Sequence, residues 1–176
     1  MPSLLHHYFR HLLTGVLLLS FSLSLQAKTE YDIKAAYLYN FIKFVTWPAP
    51  DHSDALTVCL FGKDPINDKL MPLNGLQLHG RTVSVMPLHD VDEATNCTVI
   101  YLARSEKKYL SQILITTKEH PVLLVSDLEE FAKEGGTIGF VTLGNVIRFD
   151  VNLGVARRDK LSISSKLLEL ANQVIK

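Results

Sequence analysis

Residues 31–48 read YDIKAAYLYNFIKFVTWP. Apolar side chains at Ile33, Tyr37, Phe41 and Phe44, widened by Ala36, Leu38, Ile42 and Val45, follow the i, i+3, i+4, i+7 spacing of a helix with a broad buried face. Pro48 stops this helix, because the residue before a proline is biased away from helical geometry, which places Trp47 just past the end. Tyr39, Asn40 and Lys43 fall off the stripe and are left for solvent or a partner. Helical spacing makes core packing a better account of the aromatic residues than a cofactor-binding set. Such a helix requires an extensive apolar surface, which the remainder of the chain must supply.

That surface is legible downstream. After a Pro/Asp/Ser linker at Ala49–Ser53, the run ALTVCLF at Ala55–Phe61 is closed by Gly62 and reads as a buried strand. Asp64-Pro65 then has the form of an N-cap followed by a first-turn proline, opening a helix to about Met71. Leu76–Leu78 and Thr82–Met86 flank a His-Gly-Arg turn and are expected as short strands. Cys97–Ala103 (CTVIYLA) is a second buried strand, followed by a helix over Glu106–Thr117 capped by Ser105. Pro121–Val125 (PVLLV) is a third strand, and a short helix with Leu128, Phe131 and Ala132 is expected before Gly135-Gly136. Buried strands alternating with amphipathic helices indicate βαβ units around a largely parallel sheet.

The pattern then changes. Thr137–Thr142 and Val146–Asn152 flank Gly144-Asn145 and form a β-hairpin. In its second strand Ile147, Phe149 and Val151 face one way, and Arg148, Asp150 and Asn152 the other. A short helix over Leu153–Lys160 and a final one from Ser162 or Ser164, docked by Leu167, Leu168, Leu170 and Ala171, complete the chain. The expected fold is a single α/β domain: a mixed β-sheet flanked by helices, with a late β-hairpin and a C-terminal helix.

Residues 1–27 have the character of a cleaved secretory signal peptide, with Arg10 near the start, an apolar run over Leu12–Leu25, and Ala27 at the cut point. The run is shorter than the roughly 20 residues that span a bilayer, which argues against an uncleaved anchor. Residues 28–176 then form the mature domain, with 17 basic against 18 acidic side chains. This balance, with no basic tract, supports neither nucleic acid nor an anionic membrane as partner. In an exported chain Cys59 and Cys97 are most simply one disulfide, the alternative being two buried thiols.

The residues offer little catalytic chemistry. No serine stands in a G-x-S-x-G elbow. Gly62-Lys63-Asp64 and Gly135-Gly136 lack the spacing of a phosphate-binding loop. His52, His79, His89 and His120 are dispersed, so neither a metal nor a cofactor is expected. Asp90/Asp92/Glu93 and Glu129/Glu130 lie in polar stretches that read as solvated faces. The polar side of the last strand, Arg148, Asp150 and Asn152, with Ser162 and Ser164, remains as a candidate partner- or ligand-recognition surface. Its plainer reading is an Arg–Asp pair on a sheet face.

KAAYLYNFIKFVTWP (Lys34–Pro48), VCLFG (Val58–Gly62), LHGRTVSV (Leu78–Val85), CTVIYLARS (Cys97–Ser105), PVLLVSDLEEFAKEGGTIGFV (Pro121–Val141), IRFDVN (Ile147–Asn152) and ISSKLLELA (Ile163–Ala171) together resemble the YfiR family of small periplasmic proteins. The resemblance spans almost all of the mature chain in the same order. It implies a non-enzymatic repressor that holds the periplasmic sensor domain of an inner-membrane diguanylate cyclase inactive, restraining cyclic di-GMP signalling, exopolysaccharide production and biofilm. It further implies sequestration by an OmpA-like outer-membrane lipoprotein, and a homodimer. Cys59 and Cys97 match family cysteines, whereas the second disulfide of some relatives has no counterpart. Two other classes stand beside this one: a periplasmic small-ligand-binding module, and a hydrolase for which no nucleophile or metal set is present.

Overall fold

A computed structural model of the chain describes residues 28–48 and 55–176. Residues 1–27, expected as a signal peptide, and the linker carrying His52 lie outside them.

Helix α1 (Glu30–Phe44) starts in a reciprocal cap: the Asp32 N–H donates to Thr29 Oγ1, and the Thr29 N–H donates to Asp32 Oδ2 at 2.8 Å. It ends where the chain turns extended into β1 (Val45–Thr46), ahead of Pro48. Its buried side is Lys34, Ala35, Leu38, Phe41 and Ile42. This stripe is rotated from the expected one: Ile33, Tyr37 and Phe44 are only half-buried and Ala36 is exposed. The Phe41 ring packs 4.8 Å from Phe149 and 5.5 Å from Phe140, and Tyr37 packs 5.3 Å from Phe149. The aromatic residues of the helix thus meet those of the late hairpin.

The remaining elements follow as β2 (Ala55–Phe61), α2 (Ile66–Leu70), β3 (Gln77–Leu78), β4 (Arg81–Leu88), β5 (Val99–Leu102), α3 (Leu110–Thr116), β6 (Leu123–Ser126), β7 (Ile138–Leu143), β8 (Val146–Asn152), α4 (Leu153–Arg158), β9 (Ser162–Ile163), α5 (Ser165–Leu170) and β10 (Gln173–Ile175). The main sheet runs β10-β8-β7-β6-β5-β2-β4-β3. Strands β4, β2, β5, β6 and β7 are mutually parallel, β3 is antiparallel to β4 and β8 to β7, and β10 is parallel to β8. β1 and β9 form a separate two-stranded ladder joining the end of α1 to the start of α5.

Both faces of the sheet are covered, which is why β5 and β6 read as unbroken apolar runs. One face carries Val58, Val99, Tyr101, Leu123, Val125, Phe140 and Phe149 beneath α1, together with Ile66 and Leu70 of α2. The opposite face carries Cys59, Phe61, Ile100, Leu102 and Leu124 beneath Leu110 and Ile113 of α3. The chain therefore leaves β2 over one face and the neighbouring β5 over the other. The outer edge of β4 is blunted by Pro87, which has no N–H, and by Asn74 Oδ1, which accepts from Val85 N–H at 3.0 Å.

The mixed α/β class, the late hairpin and the C-terminal helix are as the sequence reading has them. Several elements differ. The stretch around Leu128, Phe131 and Ala132 forms successive turns in place of a helix. Gly136 lies against the Phe131 ring, where any Cβ would overlap it. The helix expected over Glu106–Thr117 opens as a 3-10 segment at Arg104–Tyr109, with no side-chain cap from Ser105, and becomes α-helical only at Leu110. The final helix is short: Ser164 caps it, Leu167 docks it, and Leu170 is 57% exposed. Beyond it β10 adds an unexpected strand, set by pairing with β8 rather than by local pattern.

Candidate functional site

Cys59 on β2 and Cys97 just ahead of β5 are joined in a disulfide with Cα atoms 5.9 Å apart. Both are buried in the α3-side core, so the bridge pins the two strands at which the chain changes direction across the sheet. Closing a loop of this length stabilises by about 3–4 kcal/mol in the chain-entropy model.

The polar side of β8 keeps its expected alternation but is mostly covered. Arg148 is exposed and has no hydrogen-bond or ion-pair partner among the described residues. Asp150 is buried, and its Oδ1 accepts from Asn172 Nδ2 at 2.8 Å. Asn152 is buried and fully engaged: Nδ2 donates to the Ala132 carbonyl at 2.8 Å, and Oδ1 caps α4 by accepting from Val155 N–H at 2.9 Å. The Leu128–Gly136 turns cover this part of the sheet, as the closeness of Gly139 to Ala132 attests. An Arg148–Asp150 pair is therefore not formed. Ser162 is exposed in β9, and Ser164 caps α5, so neither joins a common surface with Asp150 and Asn152. What stays available is Arg148 beside the hairpin tip, where cross-strand partners Leu143 and Val146 are 53% and 55% exposed.

A charged cluster that the sequence reading missed lies at the carboxyl end of β6. Lys34, only 2% exposed, places Nζ 2.7 Å from Asp127 Oδ2 and 2.5 Å from Glu30 Oε1. Arg104 Nε lies 3.1 Å from Asp127 Oδ1 but directs its hydrogen at the Asp127 main-chain carbonyl, 3.2 Å away. Burial opposes the Lys34 charge, yet the hydrogen bonds to Asp127 and Glu30 outweigh it and hold the ammonium above the ordinary lysine value. Tyr101, wholly buried on β5, has its phenol pushed far up by burial and then by Asp127. Its hydroxyl has no partner among the described residues. The signal was the spacing Lys34, Leu38, Phe41, Ile42, Val45, which puts the lysine on the buried stripe. A cavity of about 540 Å³ opens beside the cluster, lined by Lys34, Arg104, Lys107, Asp127, Glu130 and Phe140.

The carboxylates read as solvated make local contacts. Asp90 Oδ1 accepts from Asp92 N–H at 3.0 Å, and Glu130 pairs with Lys133 at 2.7 Å. His79 sits at φ +53° in the turn between β3 and β4 and bonds the Ile42 carbonyl at 2.9 Å, closing the last turn of α1. Among the described residues no three His, Cys, Asp or Glu side chains are grouped to hold a metal, and no helix is long and apolar enough to cross a membrane.

These features define a doubly wound α/β domain with a disulfide at the point where its strand order reverses and a buried ion cluster beneath its first helix. The chain belongs to the YfiR/HmsC-like family, whose model matches residues 31–172. A comparison with curated proteins found no match. Among solved structures, the ABC domain in complex with L-Trp from Streptococcus pneumonia is similar, with a TM-score of 0.54, 12% identity, and coverage of 80% of this chain and 60% of that one. A conserved domain protein from Vibrio cholerae O1 biovar eltor has a TM-score of 0.53, 11% identity, and coverage of 83% and 60%. The chain thus spans about 60% of the length of both, and at such identity the likeness is one of fold.

Proposed function

We propose that this protein is a non-enzymatic periplasmic regulator that binds the periplasmic sensor domain of an inner-membrane diguanylate cyclase and holds the cyclase inactive. The observation that carries this reading is the family match over residues 31–172, nearly the whole of the domain that follows the leader. Repression of this kind requires only a surface that binds the inactive sensor more tightly than the active one. The hairpin tip has the character of such a surface, since Leu143 and Val146 offer apolar area and Arg148 an unpaired guanidinium beside it. Residues 1–27 direct export, an OmpA-like outer-membrane lipoprotein competes for the regulator, and the active unit is a homodimer.

Deleting the gene tests the reading. Cyclic di-GMP and biofilm should rise, and affinity capture from membranes should recover a transmembrane protein with a cytoplasmic GGDEF-type domain. Unchanged cyclic di-GMP together with no cyclase in the capture would reject it.

A further inference from the structure

Strands β2 and β5 are adjacent and parallel, yet the chain leaves β2 toward α2 on one face and β5 toward α3 on the other. Loops that diverge in this way leave a crevice outside the carboxyl ends of the strands, the usual ligand position in open α/β sheets. A cavity of about 770 Å³ lies there, built from the end of β2, the end of β4 and the Arg104–Tyr109 segment after β5. It is larger than the cavity beside the Lys34 cluster and separate from it.

Its chemistry departs from that of a phosphate site. The helix after β2 has five residues, so it offers no developed N-terminus to an anion. An acidic residue lines the crevice instead. Glu106 is half-buried, with no ion-pair partner among the described residues, and its stem crosses Gly62. Gly62 has φ +95°, and a Cβ there would overlap Glu106 Cγ, so the glycine is what allows the carboxylate this position. The charged side chains that line the crevice are Glu106, Asp90 and Lys63, with His89 beside them, two carboxylates against one ammonium. Tyr109, braced 5.5 Å from Phe61, together with Met86 and Pro87, supplies an apolar wall. The exposed Lys108, which does not line the crevice, places Nζ 4.8 Å from the Tyr109 centroid.

We propose that this crevice binds a small ligand with an apolar, ring-sized body and an ammonium group, the body resting on Tyr109, Met86 and Pro87 and the ammonium meeting Glu106. Titration calorimetry on protein purified from the periplasm tests it with tryptamine as probe and indole-3-acetate as the charge-reversed control. Tryptamine should bind saturably at millimolar concentration or below, and indole-3-acetate should bind at least about tenfold more weakly. Glu106→Gln should weaken tryptamine by about tenfold, since a charge-assisted contact is lost. Met86→Trp should fill the crevice and weaken it comparably. Glu130→Gln, at the other cavity, should leave it unchanged. Absence of saturable tryptamine binding, equal or tighter binding of indole-3-acetate, or binding indifferent to Glu106→Gln would each overturn the proposal. Because Glu106→Gln alters a partly solvated group, its effect is readable even if Met86→Trp fails to fold.

Discussion

Lys34 Nζ donates to Asp127 Oδ2 at 2.7 Å across 93 residues of chain, joining the buried face of the first helix to the carboxyl end of β6. A charge this deep is tolerable only because partners satisfy it. Removing Asp127 leaves the buried ammonium with only the half-exposed Glu30 carboxylate, so Asp127→Ala should cost about 3 kcal/mol in urea unfolding. The apolar double variant Lys34→Met/Asp127→Leu should recover most of that loss. A cost for the single variant below about 0.5 kcal/mol, the level of an ordinary surface change, would contradict this role.

Tyr101 presents the converse case. Its hydroxyl is buried without a hydrogen-bond partner among the described residues, so it contributes a desolvation cost that nothing offsets. Tyr101→Phe should leave stability unchanged or raise it by up to about 1 kcal/mol. A clear loss would mean that the hydroxyl has a role the geometry does not reveal.

Alkaline pH should expose both groups. Lys34 and Tyr101 each have a folded-state pKa raised above the ordinary value, 10.5 for lysine and 10.0 for tyrosine. The folded state therefore retains protons that the unfolded state releases, and stability falls as pH climbs past those values. The melting temperature should be insensitive to these two groups below about pH 9 and should drop above about pH 10. The drop should be shallower in Tyr101→Phe, as differential scanning calorimetry across this range would report.

The disulfide should account for a large share of the stability of a domain this size. Cys59→Ser/Cys97→Ser should lose about 3–4 kcal/mol. Protein taken from the periplasm and denatured before reduction should show no reactive thiol, and two thiols in that assay would refute the bridge.

Arg148 and Asn152 stand close on one strand but should behave in opposite ways. Asn152→Ala removes a helix cap and the bond to the Ala132 carbonyl, and should cost about 2 kcal/mol. Arg148→Glu should change stability by no more than about 0.5 kcal/mol, since the side chain is exposed, while abolishing capture of the cyclase. Normal capture by Arg148→Glu would move the partner surface elsewhere.

Strand positions and the class of fold were legible because they follow from local regularities. Ala55–Phe61 is a strand from end to end because an apolar run of that length suits a doubly covered parallel sheet. The Gly144-Asn145 hairpin and the Ser164 cap were likewise readable, as turn and capping chemistry act over a few residues. The segment around Phe131 misled because its amphipathic spacing suits a helix, whereas the close approach of Gly136 and Gly139 holds it in turns against the sheet. Asp150 and Asn152 misled for a related reason. Alternation says which way a side chain points on a strand but is silent on what lies over that face.

Of the stretch at 31–48, the sequence alone determined that it is a helix, where it stops, and that most of it must be buried. Helical periodicity and Pro48 are local facts. Its rotation by one residue, which buries Lys34 and turns Ala36 to solvent, was decided only by tertiary structure. Asp127 follows a strand almost a hundred residues later, and only its arrival beneath the helix makes a buried lysine favourable. The same division holds for the crevice: Gly62 and Glu106 carry no shared motif, and the opposite exits of β2 and β5 bring them together.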